Sequence, residues 1–172
     1  VFTNGDSANS GVGGWGQNLS GLNYHIMRYA DVLLMAAEAN VESGNLTAAL
    51  ALVNDVRERA RDMATVKKAD GTDAANYDIK LYTSADFGNA TDARKAVRFE
   101  RRLELAMEGH RSFDLRRWGV AEAVMAKYIS EEGETIFPFA KGQSFQSKHT
   151  LFPIPLNAID GSGGIITQNP GF

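Results

Sequence analysis

The chain has 172 residues, 44% of them apolar and 23% charged, with a formal net charge of −3 and no cysteine. This is the composition of an ordinary globular protein with enough chain to bury a core. It excludes disulfides and cysteine-based metal or catalytic sites, supplies no basic field to attract nucleic acid, and contains no apolar run long enough to span a bilayer.

Residues 1–22 are rich in Gly, Asn and Ser and read as loop. Their "GVGGWG" fits G-x-G-x-x-G at Gly11, Gly13 and Gly16. The flanks show neither the buried strand nor the opening helix of a dinucleotide site, so none is expected. Apolar residues at helical spacing predict a helix from Tyr24 to Ser43, through Ile26, Ala30, Leu33, Leu34, Ala37 and Val41. Met27, Val32, Met35, Ala36 and Ala39 widen its apolar surface, so it needs cover from more than one side. Arg28, Asp31, Glu38 and Glu42 form its polar line. Gly44 suits a helix end and Asn45 an N-cap. A second helix follows from about Leu46 to Arg61, with Ala49, Val53, Val56 and Ala60 inward and Asn54, Glu58 and Arg61 outward. Residues 24–61 thus resemble one tetratricopeptide-type helix pair, a unit that normally stacks on others.

Residues 64–90 form a long polar loop carrying Tyr77, Tyr82 and Phe87. Its "DGTDAANYD" has calcium-friendly oxygens at Asp70, Asp73, Asn76 and Asp78. It lacks the order and closing Glu of a calcium loop, so no metal and no cofactor are expected. Helices are predicted over residues 91–130. One runs from Thr91 or Asp92 to Glu108, a short piece covers Phe113 to Trp118, and another spans about Val120 to Ile129. Residues 137–172 read as an irregular tail. Pro153 and Pro155 force extended backbone there, and Leu151, Phe152 and Ile154 are the expected anchors. The sequons at Asn18, Asn45 and Asn89 include two, Asn45 and Asn89, that serve better as cap or turn residues.

The densest charge is in "ERRLELAMEGHRSFDLRRWG", residues 100–119. Ala96, Phe99, Leu103 and Ala106 give its helix an apolar stripe, while Glu100, Glu104 and Glu108 align four residues apart. Aligned carboxylates need cations between them. The expected structure is an ion lattice of Arg28, Arg57, Glu104, Glu108, Arg111 and Asp114, linking this helix to the first two. A hydrolase using Glu104, Glu108 and Asp114 is a remote alternative, because catalytic carboxylates are usually tuned by apolar surroundings. No catalytic residue is assigned.

"IMRYADVLLMAAEANVESGN", "AALALVNDVRERAR", "RFERRLELAMEGHRSFDLRRWG" and "LFPIPLNAIDGSGGIITQNPGF" occur in this order and together strongly resemble the SusD/RagB family. The resemblance implies a mainly α fold: a tetratricopeptide-like helix pair, further helices and a long Pro-containing C-terminal strap. It implies no enzyme but a glycan-binding lipoprotein at the outer surface of the outer membrane of Bacteroidetes-type bacteria. Such a protein hands oligosaccharide to a TonB-dependent, SusC-like transporter. Family members are considerably longer and begin with a lipid-bearing cysteine, so this chain is expected to be a C-terminal portion, its N-terminal part and lipid anchor lying outside it. Ser112 stands where the family often has an aromatic. The sugar-contact candidates are the loop aromatics Trp15, Tyr77, Tyr82 and Phe87. A tetratricopeptide-like protein-interaction module without a sugar site is the alternative function.

Overall fold

A computed structural model of the chain describes residues 10–13, 17–20, 26–132, 135 and 142–172. Among them the fold is mainly α-helical. The chain divides into a unit of residues 1–104 and a unit of residues 105–172.

The first unit begins with a hairpin, β1 (Ser10–Gly13) and β2 (Gln17–Ser20), with Ser10 opposite Ser20 and Gly13 opposite Gln17. This corrects the reading of residues 1–22 as loop throughout. The pairing is a backbone ladder, and Gly-, Asn- and Ser-rich composition does not advertise it.

Helix α1 runs Tyr29–Glu42, α2 Leu46–Asp62 and α3 Ala90–Glu104. The first of these starts five residues later than its periodicity suggests. Arg28 is extended (φ −113°, ψ 155°). Its guanidinium donates from Nη1 to Glu104 Oε1 (2.8 Å) and from Nη2 to the Glu104 carbonyl oxygen (2.9 Å). That commitment sets the chain's entry into the helix and leaves Ile26 and Met27 outside it and exposed. Between α1 and α2, Gly44 takes φ +82° and the Asn45 side chain accepts from the Ala48 N–H. At the start of α3, Asn89 Oδ1 accepts from the Asp92 N–H at 3.0 Å, satisfying a helix-start donor.

Leu34, Ala37 and Val41 of α1, Ala49, Val53 and Val56 of α2, and Ala93, Ala96 and Val97 of α3 form one core with Phe87. Ala37 and Ala49 are fully buried, the small side chains that let helices approach closely. Each large apolar side chain taken wholly out of water, as Leu34 is, contributes about 1.5–3 kcal/mol. Met27, Val32, Met35 and Ala39 stay exposed, so one face of α1 has no cover among the described residues.

The end of α3 is a second correction. The helix stops at Glu104, and Glu108 lies in the turns before the next helix. Met107 there takes φ +66° and Gly109 φ +82°, both incompatible with continuing a right-handed helix.

The second unit holds α4 (His110–Arg117), α5 (Ala121–Glu132), a 3-10 turn at Ser147–Thr150 and α6 (Leu156–Gly161). The tail is therefore not wholly irregular: Pro155 precedes α6, where its fixed φ suits a helix start. Two side-chain amides organise the remainder. Gln168 accepts from the Ile154 N–H (2.7 Å) and donates to the Ile154 carbonyl (2.9 Å). Asn169 donates to the Phe152 carbonyl (2.7 Å). Pro153 and Pro155 prevent regular structure here, and the "QN" of the terminal motif supplies the missing backbone partners. Leu151 and Phe152, expected as buried anchors, are exposed. The guanidinium of Arg116 lies 5.7 Å from the Phe152 ring centroid.

Candidate functional site

Four arginines and three carboxylates join α1, α2 and α3. Arg28 Nη1 is 2.8 Å from Glu104 Oε1, and Arg59 Nη2 donates to the same oxygen. Arg57 Nη1 is 2.6 Å from Glu100 Oε2. Arg101 Nη1 is 2.8 Å from Asp31 Oδ1, with both side chains almost fully buried. A guanidinium can bond two acceptors in different directions, which suits it to this position between helices. Of the expected set, Arg28, Arg57 and Glu104 belong to these pairs. Asp31, Arg59, Glu100 and Arg101 belong to these pairs as well. Glu108, Arg111 and Asp114 lie in the second unit. There Asp114 is buried and accepts from Arg117 Nε at 2.9 Å, while the Arg111 guanidinium lies 5.9 Å from the Trp118 ring centroid.

The loop between α2 and α3 is fixed to α2. Asn54 donates to the Tyr82 carbonyl (3.0 Å) and accepts from the Tyr82 N–H (2.9 Å), and Arg57 Nε donates to the Lys80 carbonyl (2.6 Å). Asn54 thus does not face solvent as its helical position suggested. The Tyr82 ring meets Phe87 edge-on, centroids 5.9 Å apart, with the Arg57 guanidinium 4.8 Å from its centre. Burial, followed by the nearby Glu100 charge, raises the Tyr82 phenol above its usual 10.0.

Beside Tyr82 the loop and α3 enclose an open cleft of about 580 Å³, lined by Tyr82, Asp86, Asp92, Lys95 and Phe99 among others. Phe99 is 50% exposed. Asp86 Oδ2 accepts both the Thr83 N–H and the Thr83 hydroxyl, each at 2.7 Å. These bonds, the backbone one first, lower the Asp86 pKa. Asp92 accepts from the Asn89 amide (2.8 Å) and from Lys95 (2.9 Å), and these bonds, the amide first, lower its pKa as well. Both side chains are therefore acceptor-only carboxylates at neutral pH. Small-molecule clefts combine apolar and aromatic lining with a few placed polar groups, and Tyr82, Ala85, Ala96 and Phe99 with the two carboxylates supply both kinds here.

Of the four aromatic candidates, Tyr82 lines this cleft. Phe87 is buried in the core, which corrects its reading as a sugar platform. Tyr77 is partly exposed beside Met63, Val66 and Ile79, on another depression of about 230 Å³. Trp15 lies outside the described residues. Phe99 was read as core, and nothing in its spacing distinguished it. Asp70 and Asp73 of the calcium-like stretch are exposed and bond to close neighbours, Asp70 to Thr72, and Asp73 to Thr65 and Lys67.

A family profile described as the SusD family matches residues 3–172. The chain belongs to the SusD family. SusD-like protein P25 of Formosa agariphila is 32% identical over 134 residues, which cover 78% of this chain and 21% of that protein. SusD-like protein P38 of the same organism is 38% identical over 103 residues, 60% of this chain and 18% of that one. SusD-like protein P2 is 28% identical over 164 residues, 95% of this chain and 28% of the relative. The chain therefore spans less than a third of the length of these SusD relatives.

Proposed function

We propose that this SusD-family chain is part of a glycan-binding component of nutrient uptake, lipid-anchored at the outer-membrane surface and acting with a TonB-dependent transporter. The observation that carries the reading is family membership across residues 3–172. The open, aromatic-bearing cleft beside α3 agrees with a protein that holds sugar without converting it. Two guanidiniums occupy Glu104, which leaves that carboxylate engaged between helices rather than presented to a substrate. No helix among the described residues is long and apolar enough to cross a membrane. Titration calorimetry with oligosaccharides, run beside a reducing-end assay on the same mixtures, tests the reading. Binding without turnover supports it; release of new reducing ends points to the hydrolase.

A second reading, a tetratricopeptide-like interaction module, is favoured by one feature. Met27, Tyr29, Val32 and Met35 leave an apolar face of the α1–α2 pair exposed. Helix pairs of this type pass such faces to neighbouring units or partners. Binding to the transporter with no oligosaccharide binding would favour this reading.

A further inference from the structure

We propose that the cleft between the Tyr82–Phe87 loop and α3 is a subsite for a neutral oligosaccharide, with the Phe99 ring as stacking platform and Asp86 and Asp92 as acceptors for sugar hydroxyls. The proposal rests on the glycan-binding reading and adds to it a place and a ligand class.

Three observations carry it. The first is Phe99 itself. It sits mid-helix on α3, half exposed, although an aromatic ring gains more from burial than almost any side chain. Held by a helix and not by a free loop, it is a fixed platform that loses little entropy when a ligand covers it. An aromatic face suits the C–H face of a pyranose.

The second is the rim. Sugar hydroxyls need fixed acceptors, and both carboxylates are positioned before any ligand arrives. The Thr83 turn holds Asp86, and its two bonds fall on Oδ2, so Oδ1 retains its lone pairs. The helix start holds Asp92 through Asn89. Tyr82, which also lines the cleft, is tied through its backbone to Asn54 and packs its ring on Phe87.

The third is charge. The rim carries two carboxylates and one ammonium, and Lys95 is paired with Asp92 at 2.9 Å. The local excess is negative. It repels the carboxylate of a uronate or a sulfate ester and leaves neutral hydroxyl donors as the favoured class. The size agrees: about 580 Å³ is the scale of a small-molecule cleft and accommodates a short glycan segment.

The test is calorimetry on the protein and on Phe99→Ala and Phe99→Tyr. The neutral probes are cello-, xylo-, manno- and malto-oligosaccharides. The acidic probes are oligogalacturonate and sulfated carrageenan oligosaccharides. Circular-dichroism melts check that the variants stay folded, as expected for a half-exposed side chain. The expected result is binding of at least one neutral probe. Phe99→Ala should weaken it about ten-fold, the scale of one well-packed aromatic contact, while Phe99→Tyr holds near the parent value. A neutral probe bound equally by the parent and Phe99→Ala overturns the subsite and leaves the glycan-binding reading standing. Tighter binding of an acidic probe overturns the ligand class. Binding of no probe overturns the glycan-binding reading together with the subsite.

Discussion

Arg101→Met should be the most damaging single change in the first unit. Arg101 reaches from α3 to Asp31 in the first turn of α1, 2.8 Å between Nη1 and Oδ1, with side-chain exposures of 4% and 5%. Methionine keeps most of the volume and removes the charge. The Asp31 carboxylate is then left in the interior without its arginine. Breaking a buried pair in this way costs about 3–5 kcal/mol, a large part of the 5–15 kcal/mol that holds a domain together. For a chain of this size that is a fall in Tm on the order of 10 °C. The pair itself need not stabilise the fold by that amount, because desolvation offsets much of its attraction. Replacing both partners by apolar residues, Asp31→Leu with Arg101→Met, should therefore recover most of the loss. Urea unfolding followed by circular dichroism gives both values, and the double-mutant cycle gives the coupling. A single variant within about 1 kcal/mol of the parent, or a double variant no better than the single, would refute the reasoning.

Glu104→Ala removes the shared acceptor of Arg28 and Arg59 and should cost about 3 kcal/mol in urea unfolding, with oligosaccharide affinity of the folded protein unchanged. Leu34→Ala should cost about 2–5 kcal/mol, whereas Met35→Glu, on the exposed side of the same helix, should stay within about 1 kcal/mol of the parent; chemical denaturation separates them. Met107→Gly should raise stability by up to about 1 kcal/mol in the same assay, since Met107 holds φ +66° while fully exposed and glycine adopts that angle without strain. Tyr82 is raised above 10.0 in the fold, so its neutral form is favoured there. Its contribution is complete below that value and is lost as pH rises through the higher folded one. Denaturation midpoints should fall on the alkaline side in the parent and fall less steeply in Tyr82→Phe.

How much of this was legible in sequence differs between the two kinds of element. The α1–α2 pair was clear because apolar spacing, Gly44 and Asn45 all point to the same turn, and the structure uses both residues as caps. The start of α1 and the end of α3 differ from the periodicity. Arg28 and Glu104 bond to each other as the first helix begins and the third ends. This tertiary contact sits at both boundaries, beside the left-handed Met107 and Gly109 that follow α3, and local periodicity carries no trace of it. The two-residue "QN" near the C-terminus was legible as a motif but not as a device. Its role, lending amide partners to Phe152 and Ile154, depends on a fold-back that spacing cannot specify.

The face of α3 shows why the candidate site was hidden. Apolar spacing selects Ala96, Phe99, Leu103 and Ala106 as the buried stripe. The structure instead buries Ala93, Ala96, Val97, Glu100 and Arg101, and leaves Phe99 and Leu103 half exposed. The helix is rotated about its axis relative to its apolar stripe, because the charges on its inner face find partners on α1 and α2: Asp31 for Arg101 and Arg57 for Glu100. Paired charges can be buried where single ones cannot. The same pairs that join the three helices therefore turn Phe99 outward, beside Tyr82 and the two rim carboxylates. An unpaired Glu100 or Arg101 on the inner face would favour the opposite rotation, with Phe99 in the core and no platform in the cleft. The ion pairs are thus tied to the proposed ligand site through the rotation of one helix, although none of them lines the cleft.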